Sequence, residues 1–147
     1  MFDASFIGKE YDSFAMEIEK GRLRLFAKAI GETDPIYLDE KAARVAGYRS
    51  LPAPPTFPFT IAMEANQPFL VLEDLGIDKT RSVHGDQSFA FRGEICAGDV
   101  ISGRQKIVDM YEKKGGALLF IVTETRLTNQ RDEPVCDLRT TIVVRNG

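Results

Sequence analysis

The sequence predicts an α+β fold, an antiparallel sheet of about five strands with one apolar helix against it. Three observations carry this. From Val83 onward the apolar residues recur with a period of two, rich in Val, Ile and Thr. A segment opening at Phe57 has apolar residues at helical spacing over most of its surface, the signature of a buried helix. The composition shifts once, with six of the seven prolines in the first half.

Each element has its own reason. Phe14, Met16 and Ile18 alternate with Ala15, Glu17 and Glu19, a short strand. Gly21 breaks it. Leu23, Phe26, Ala27 and Ile30 then fall on one helical stripe, with Gly31 at the C-cap. After the loop GETDPIYLD, Asp39 can cap a short helix with Ala42, Ala43, Val45 and Ala46 on its apolar side, ended by Gly47. Pro52, Pro54 and Pro55 forbid a regular helix before Thr56, and Pro55 or Thr56 can start one. Phe57, Ile61, Ala62 and Ala65 continue it. Strands are expected near 83–92, 99–112, 117–128 and 135–145. A tight hairpin at Lys113–Gly116 and a longer one at Asn129–Pro134 join the last three. Leu119, Ile121, Thr123, Thr125 and Leu127 share one face.

Length and charge set outer bounds. A chain of 147 residues fits one domain, 1–147, able to bury a core without staples. At a net charge of -3 it has no basic footprint for nucleic acid. No apolar run approaches the roughly 18 residues of a membrane span, and the start reads as no secretory signal. Cys96 and Cys136 each stand alone, without the paired spacing of a zinc or redox motif. With His84 the single histidine, a His-rich metal site is excluded. The expectation is a reduced, cytoplasmic protein that needs no metal and no cofactor.

Three segments carry a family resemblance. Ala29–Tyr37 reads AIGETDPIY, Leu51–Phe57 reads LPAPPTF, and Val83–Phe91 reads VHGDQSFAF, continuing to Ala97-Gly98-Asp99. The first resembles the active-site loop, G-D-x-N-P-φ-H with φ apolar, of the MaoC-like hydratase/dehydratase family. The third resembles the H-G-E-Q … A-G-D signature of that family's N-terminal, FAS1-like dehydratase half. The resemblance implies a hot-dog fold, a long sheet wrapped around a central helix. It implies reversible hydration of a 2-enoyl thioester, in which a carboxylate and an imidazole hold one water within hydrogen-bond reach. In the family a backbone N–H at the start of the central helix meets the thioester oxygen.

This sequence departs from that pattern where it matters. Glu32 stands at the aspartate position, Asp34 at the asparagine position and Tyr37 at the histidine position. A phenol with a pKa of about 10 is a poor proton shuttle at neutral pH. Pro54 and Pro55 stand where catalytic members carry a His-Gly pair, and proline has no N–H to give. The combination is similar to the non-catalytic subunit of (3R)-hydroxyacyl-ACP dehydratases, which shapes the acyl tunnel while another hot-dog chain brings Asp and His. Thr56, Phe57, His84, Gly85 and Gln87 are the substrate-binding candidates by this resemblance. Each also has a plain structural reading: a helix cap, a core aromatic, or strand residues that pack and hydrogen-bond. Arg92, Arg104 and Lys106 read as a solvated strand face more readily than as contacts for CoA phosphates.

The expected partners are an acyl-CoA or acyl-carrier-protein thioester and a second hot-dog chain, as homodimer or as heterodimer with a catalytic subunit. Three other functions stay open: a self-sufficient hydratase using Glu32 with Tyr37 or His84, an acyl-thioester hydrolase, and a non-enzymatic acyl-ligand-binding dimer. Glu64 lies late on the helix for the carboxylate a hydrolase needs.

Overall fold

In the computed structural model, which describes residues 1–146, four long strands hydrogen-bond into one antiparallel sheet with a short fifth at its margin. The elements are β1 (Phe14–Glu17), α1 (Lys20–Ala29), α2 (Glu40–Val45), α3 (Phe57–Ala65) and α4 (Leu70–Asp74). They are followed by β2 (Ser82–Phe91), β3 (Val100–Lys113), β4 (Leu118–Thr128) and β5 (Pro134–Arg145). The strand order is β1-β3-β4-β5-β2, so β2 is hydrogen-bonded on one side only.

The local signals act as expected. Gly31 closes α1 at φ 74°, with Glu32 N–H donating to Ala27 O and Gly31 N–H to Lys28 O. That pair of bonds is a Schellman motif, which requires a left-handed residue. Asp39 accepts from Ala42 N–H and caps α2. Of the expected apolar side of α2, Ala43 is buried, while Val45 is 83% exposed. A helix of six residues is too short to bring a whole stripe onto the core. The segment 70–74, assigned to no element from the sequence, forms α4 and buries Val71 and Leu72.

α3 buries Phe57, Pro58 and Ile61, and Phe26 packs edge-on against Phe57 at 5.2 Å. The helix is less enclosed than its composition predicts, because Met63 and Glu64 are exposed. The sheet wraps one side of α3, and the far side faces out beside the β2 edge.

The core is in two parts. One gathers Phe14, Ile18, Leu23, Phe57, Ile61 and Ile101 with Leu127 and Leu138. The other gathers Tyr11, Val71, Leu72, Ile107, Met110 and Leu119 with Ile121 and Val144. Along β4 the inward residues run Leu119, Ile121, Thr123, Thr125, Leu127, so two buried threonines lie between the clusters.

At the end near α1, Asp99 ties four segments together. Its carboxylate is fully buried and accepts from both Arg49 guanidinium nitrogens at 2.9 Å, from Cys96 N–H at 2.9 Å and from Gln130 Nε2 at 3.0 Å. Burial opposes its charge, but these donors hold its carboxyl below the usual range.

Candidate functional site

Two hollows flank α3, one at each end. The first, 190 Å³, lies at the helix entry among Tyr37, Tyr48, Pro54, Pro55, Pro58 and Phe91. The fold therefore carries Tyr37, from the loop after α1, to the proline run that opens α3. This is the place where proton-transfer groups and an oxyanion donor would meet.

Local bonds occupy most of the polar groups there. Glu32 Oε1 accepts from Thr33 N–H at 2.9 Å and Asp34 N–H at 3.0 Å. Asp34 Oδ1 accepts from Ile36 N–H at 3.1 Å, capping the 3₁₀ turn Pro35–Tyr37. Both carboxylates thus shape the loop. Tyr37 is half-buried, and burial, followed by the neighbouring Tyr48, Glu32 and Asp34, pushes its phenol up. It stays protonated and can donate a hydrogen bond but not take a proton. At the helix entry Pro54, Pro55 and Pro58 have no N–H. Phe57 N–H is held by Pro54 O at 2.9 Å and Phe59 N–H by Thr56 O at 3.2 Å. Thr56 is exposed at the N-cap and its side chain makes no capping bond. At the start of α3 the Phe57 and Phe59 amides are thus taken and three prolines carry none, while the Thr56 N–H has no partner among the described residues.

The second hollow, 350 Å³, lies between the C-terminal half of α3 and the sheet, opening at the β2 edge. Phe59, Met63, Phe69, Leu72 and Ile142 give it apolar walls. Its volume falls in the range of small-molecule pockets. His84 stands at the rim, with its ring stacked on Phe59 at 5.2 Å and Nε2 3.1 Å from Asp86 O. Lys79 also lines this cavity, with Nζ 4.9 Å from the Phe69 ring centre.

The substrate-binding candidates divide between these places. His84 lines the larger cavity. Gly85 lies at the register shift between His84 and Asp86, where a Cβ would fall 2.6 Å from Val143 Cγ2. Its function is to let β2 approach β5. Gln87 is one step removed from the cavity, accepting the Thr140 hydroxyl at 2.7 Å, and Thr140 lines the wall. Phe57 lines neither hollow and is core. Arg92 pairs with Asp137, while Arg104 and Lys106 face Glu10. Glu64 pairs with Arg22 away from the cavity.

Sequence reasoning missed Asn66, Gln105, Thr140 and Lys79 as lining. One signal was available: Gln105, Thr125 and Thr140 are inward-facing polar positions inside otherwise apolar strands. Cys96 and Cys136 are free, buried thiols, and burial raises both, Cys136 to about 11. Neither is a thiolate nucleophile at neutral pH. Among the described residues no group of three His, Cys, Asp or Glu could hold a metal ion, and no helix is long and apolar enough to cross a membrane.

A sheet wrapped on a central helix, with one hollow at the helix entry and one under its far half, defines a hot-dog unit of the hydratase/dehydratase type. Residues 5–138 match the family model of the FAS1-like dehydratase domain region, and the chain belongs to that family. The UPF0336 protein of Saccharopolyspora erythraea is 37% identical over 144 residues, covering 97% of this chain and 91% of that one. The UPF0336 protein of Thermobifida fusca is 34% identical over 141 residues, covering 95% and 91%. Among solved structures, the C-terminally truncated HadBC (3R-hydroxyacyl-ACP dehydratase) complex of Mycobacterium tuberculosis superposes with a TM-score of 0.82 at 26% identity, over 94% of this chain and 96% of that chain. A MaoC-like dehydratase gives 0.86 at 24% identity, covering 97% of this chain and 43% of that one.

Proposed function

We propose that this chain is one hot-dog unit acting as the acyl-binding subunit of a (3R)-hydroxyacyl-thioester dehydratase or enoyl-thioester hydratase. The Asp/His pair comes from a second hot-dog chain. The observation that carries this reading is the state of the loop matching the family's catalytic loop. Its carboxylates are bonded to backbone amides, its imidazole position holds a protonated phenol, and Pro54 and Pro55 stand at the adjoining helix entry where the family's His-Gly pair would be. The loop and the helix entry thus both depart from the family's hydration machinery, while the cavity under α3 remains.

The free edge of β2 supports the second half of the proposal. An open edge strand of ten residues is a template for pairing. Val83 and Phe91 are exposed along it, and Met63 and Phe69 are exposed beside the cavity rim. Exposed apolar residues on an unpaired edge are of the kind that mark an interface. The HadBC structure is itself a complex, which favours a hot-dog partner on this edge. In such a pair the acyl chain of a CoA or carrier-protein thioester lies in this subunit's cavity. The partner's residues then move the proton and the hydroxyl.

The test is hydration of crotonyl-CoA and of a longer 2-enoyl-CoA by the purified chain. The expected result is no turnover alone, no effect of Glu32→Ala, and turnover when a cognate Asp/His hot-dog chain is added. Rapid turnover by the chain alone that Glu32→Ala abolishes would overturn the proposal and make Glu32 catalytic.

A further inference from the structure

The wall of the larger cavity is not apolar where it meets the sheet. Gln105 of β3 pairs opposite Thr125 of β4, and in the adjacent row Thr123 of β4, Thr140 of β5 and Gln87 of β2 stand opposite one another. These side chains form a belt across the inner face of the sheet, between the two apolar clusters. Asn66, at the C-cap of α3, closes the belt from above, donating through Nδ2 to Gln105 Oε1 at 3.1 Å. Gln105 Nε2 donates to Thr123 Oγ1 at 3.3 Å, and Thr140 donates to Gln87 Oε1 at 2.7 Å. Thr125, which is 5% exposed and lines the cavity, takes part in none of these bonds.

A plain hydrocarbon chain is a poor match for this wall. Seating it there strips water from the Thr125 hydroxyl, which takes part in no bond of the belt, and gives nothing back. A cavity that served a plain chain would carry apolar residues at positions 125 and 140, of the kind that Leu127 on β4 and Leu138 and Ile142 on β5 supply beside them. The belt contains hydroxyls and carboxamides and no ionised group, so it fits an uncharged hydrogen-bonding substituent.

We infer that the cavity selects an acyl chain bearing a neutral oxygen function, a hydroxyl or a ketone, on the part of the chain that lies under the C-terminal half of α3. This inference rests on the acyl-binding reading and names its substrate class. Thr125 is the residue in direct reach of the substituent, and Gln105 and Thr140 flank it. A hydroxyl can donate to and accept from this wall, and a ketone accepts from the Thr125 hydroxyl.

Calorimetric titration of the purified chain with decanoyl-CoA, and with hydroxy- and keto-decanoyl-CoA carrying the oxygen at successive carbons of the distal half, tests this. At one position the oxygenated chain is expected to bind at least about tenfold tighter than decanoyl-CoA. Thr125→Val should erase that preference and leave decanoyl-CoA binding equal or tighter. Gln105→Met gives a second, independent loss, and thermal midpoints report whether each variant is folded. Equal or tighter binding of decanoyl-CoA than of every oxygenated chain overturns the inference and leaves the acyl-binding reading standing. Binding of none of these ligands overturns both.

Discussion

Asp99 shows what a single buried carboxylate does in this fold. It holds the loop before α3, the start of β3 and the β4–β5 hairpin through Arg49, Cys96 N–H and Gln130. Asp99→Ala leaves Cys96 N–H without an acceptor and releases the half-exposed Arg49 guanidinium to water, at a cost of about 1–3 kcal/mol. The sign of the pH effect follows from the depressed carboxyl. Its contribution is full above the ordinary aspartate value of about 4 and is lost as pH falls through the lower folded value. Urea unfolding should therefore show a large gap between wild type and Asp99→Ala at neutral pH, and the gap should close under strong acid. A gap that stays constant across that range counts against the ion pair as the cause. Gly85 makes a second residue-scale case. Gly85→Ala puts a Cβ 2.6 Å from Val143 Cγ2, and overpacking of this kind costs about 1–3 kcal/mol. The loss should appear as a lower thermal midpoint, with His84 still stacked on Phe59.

At the scale of elements, β2 is the strand whose sequence and position disagree most. Val83 and Phe91 are exposed on a strand with one neighbour, a combination that favours pairing with another chain. Val83→Lys with Phe91→Lys should weaken self- or hetero-association by at least about tenfold in sedimentation, at little cost to the folded monomer, since neither side chain is in the core. The four long strands were legible to within a residue or two, because alternation of Val, Ile and Thr with charged residues has one structural solution when one face is buried. α3 was legible from Pro55 and Thr56 onward for the same kind of reason, since prolines fix where a helix can begin. α4 was not. LVLED has too few residues to show a period, and it is helical because Val71 and Leu72 join the core cluster that holds Ile107 and Met110 of β3, a tertiary cause. Phe57 was legible as apolar but not as core rather than cavity lining, because residue type does not distinguish the two sides of one helix. The polar belt was visible as Thr123 and Thr125 on an inward face. Its continuation through Gln105, Thr140 and Gln87 depends on register across four strands, which periodicity within one strand does not contain.

For the whole molecule, catalysis is a property of three parts that the fold brings together: the loop after α1, the start of α3 and the cavity beneath it. Repairing one part should therefore not be enough. Glu32→Asp, Asp34→Asn and Tyr37→His together restore the family's loop chemistry, including an imidazole that titrates near neutral pH at about 6.5. They do not change the start of α3, where Pro55 stands at the family's glycine position and has no N–H. Removing one oxyanion donor from a working site costs roughly 10²–10³ in turnover. The triple variant should accordingly hydrate crotonyl-CoA barely above background, and adding Pro55→Gly to it should raise the rate by about 10²-fold. Crotonyl-CoA is the right probe because its short chain makes no demand on the polar belt. Full activity in the triple variant would show that the helix start is not limiting and would place the proposed deficit in the loop alone. A rise that appears only with Pro55→Gly locates the deficit in both parts, as the proposed division of labour with a partner chain requires.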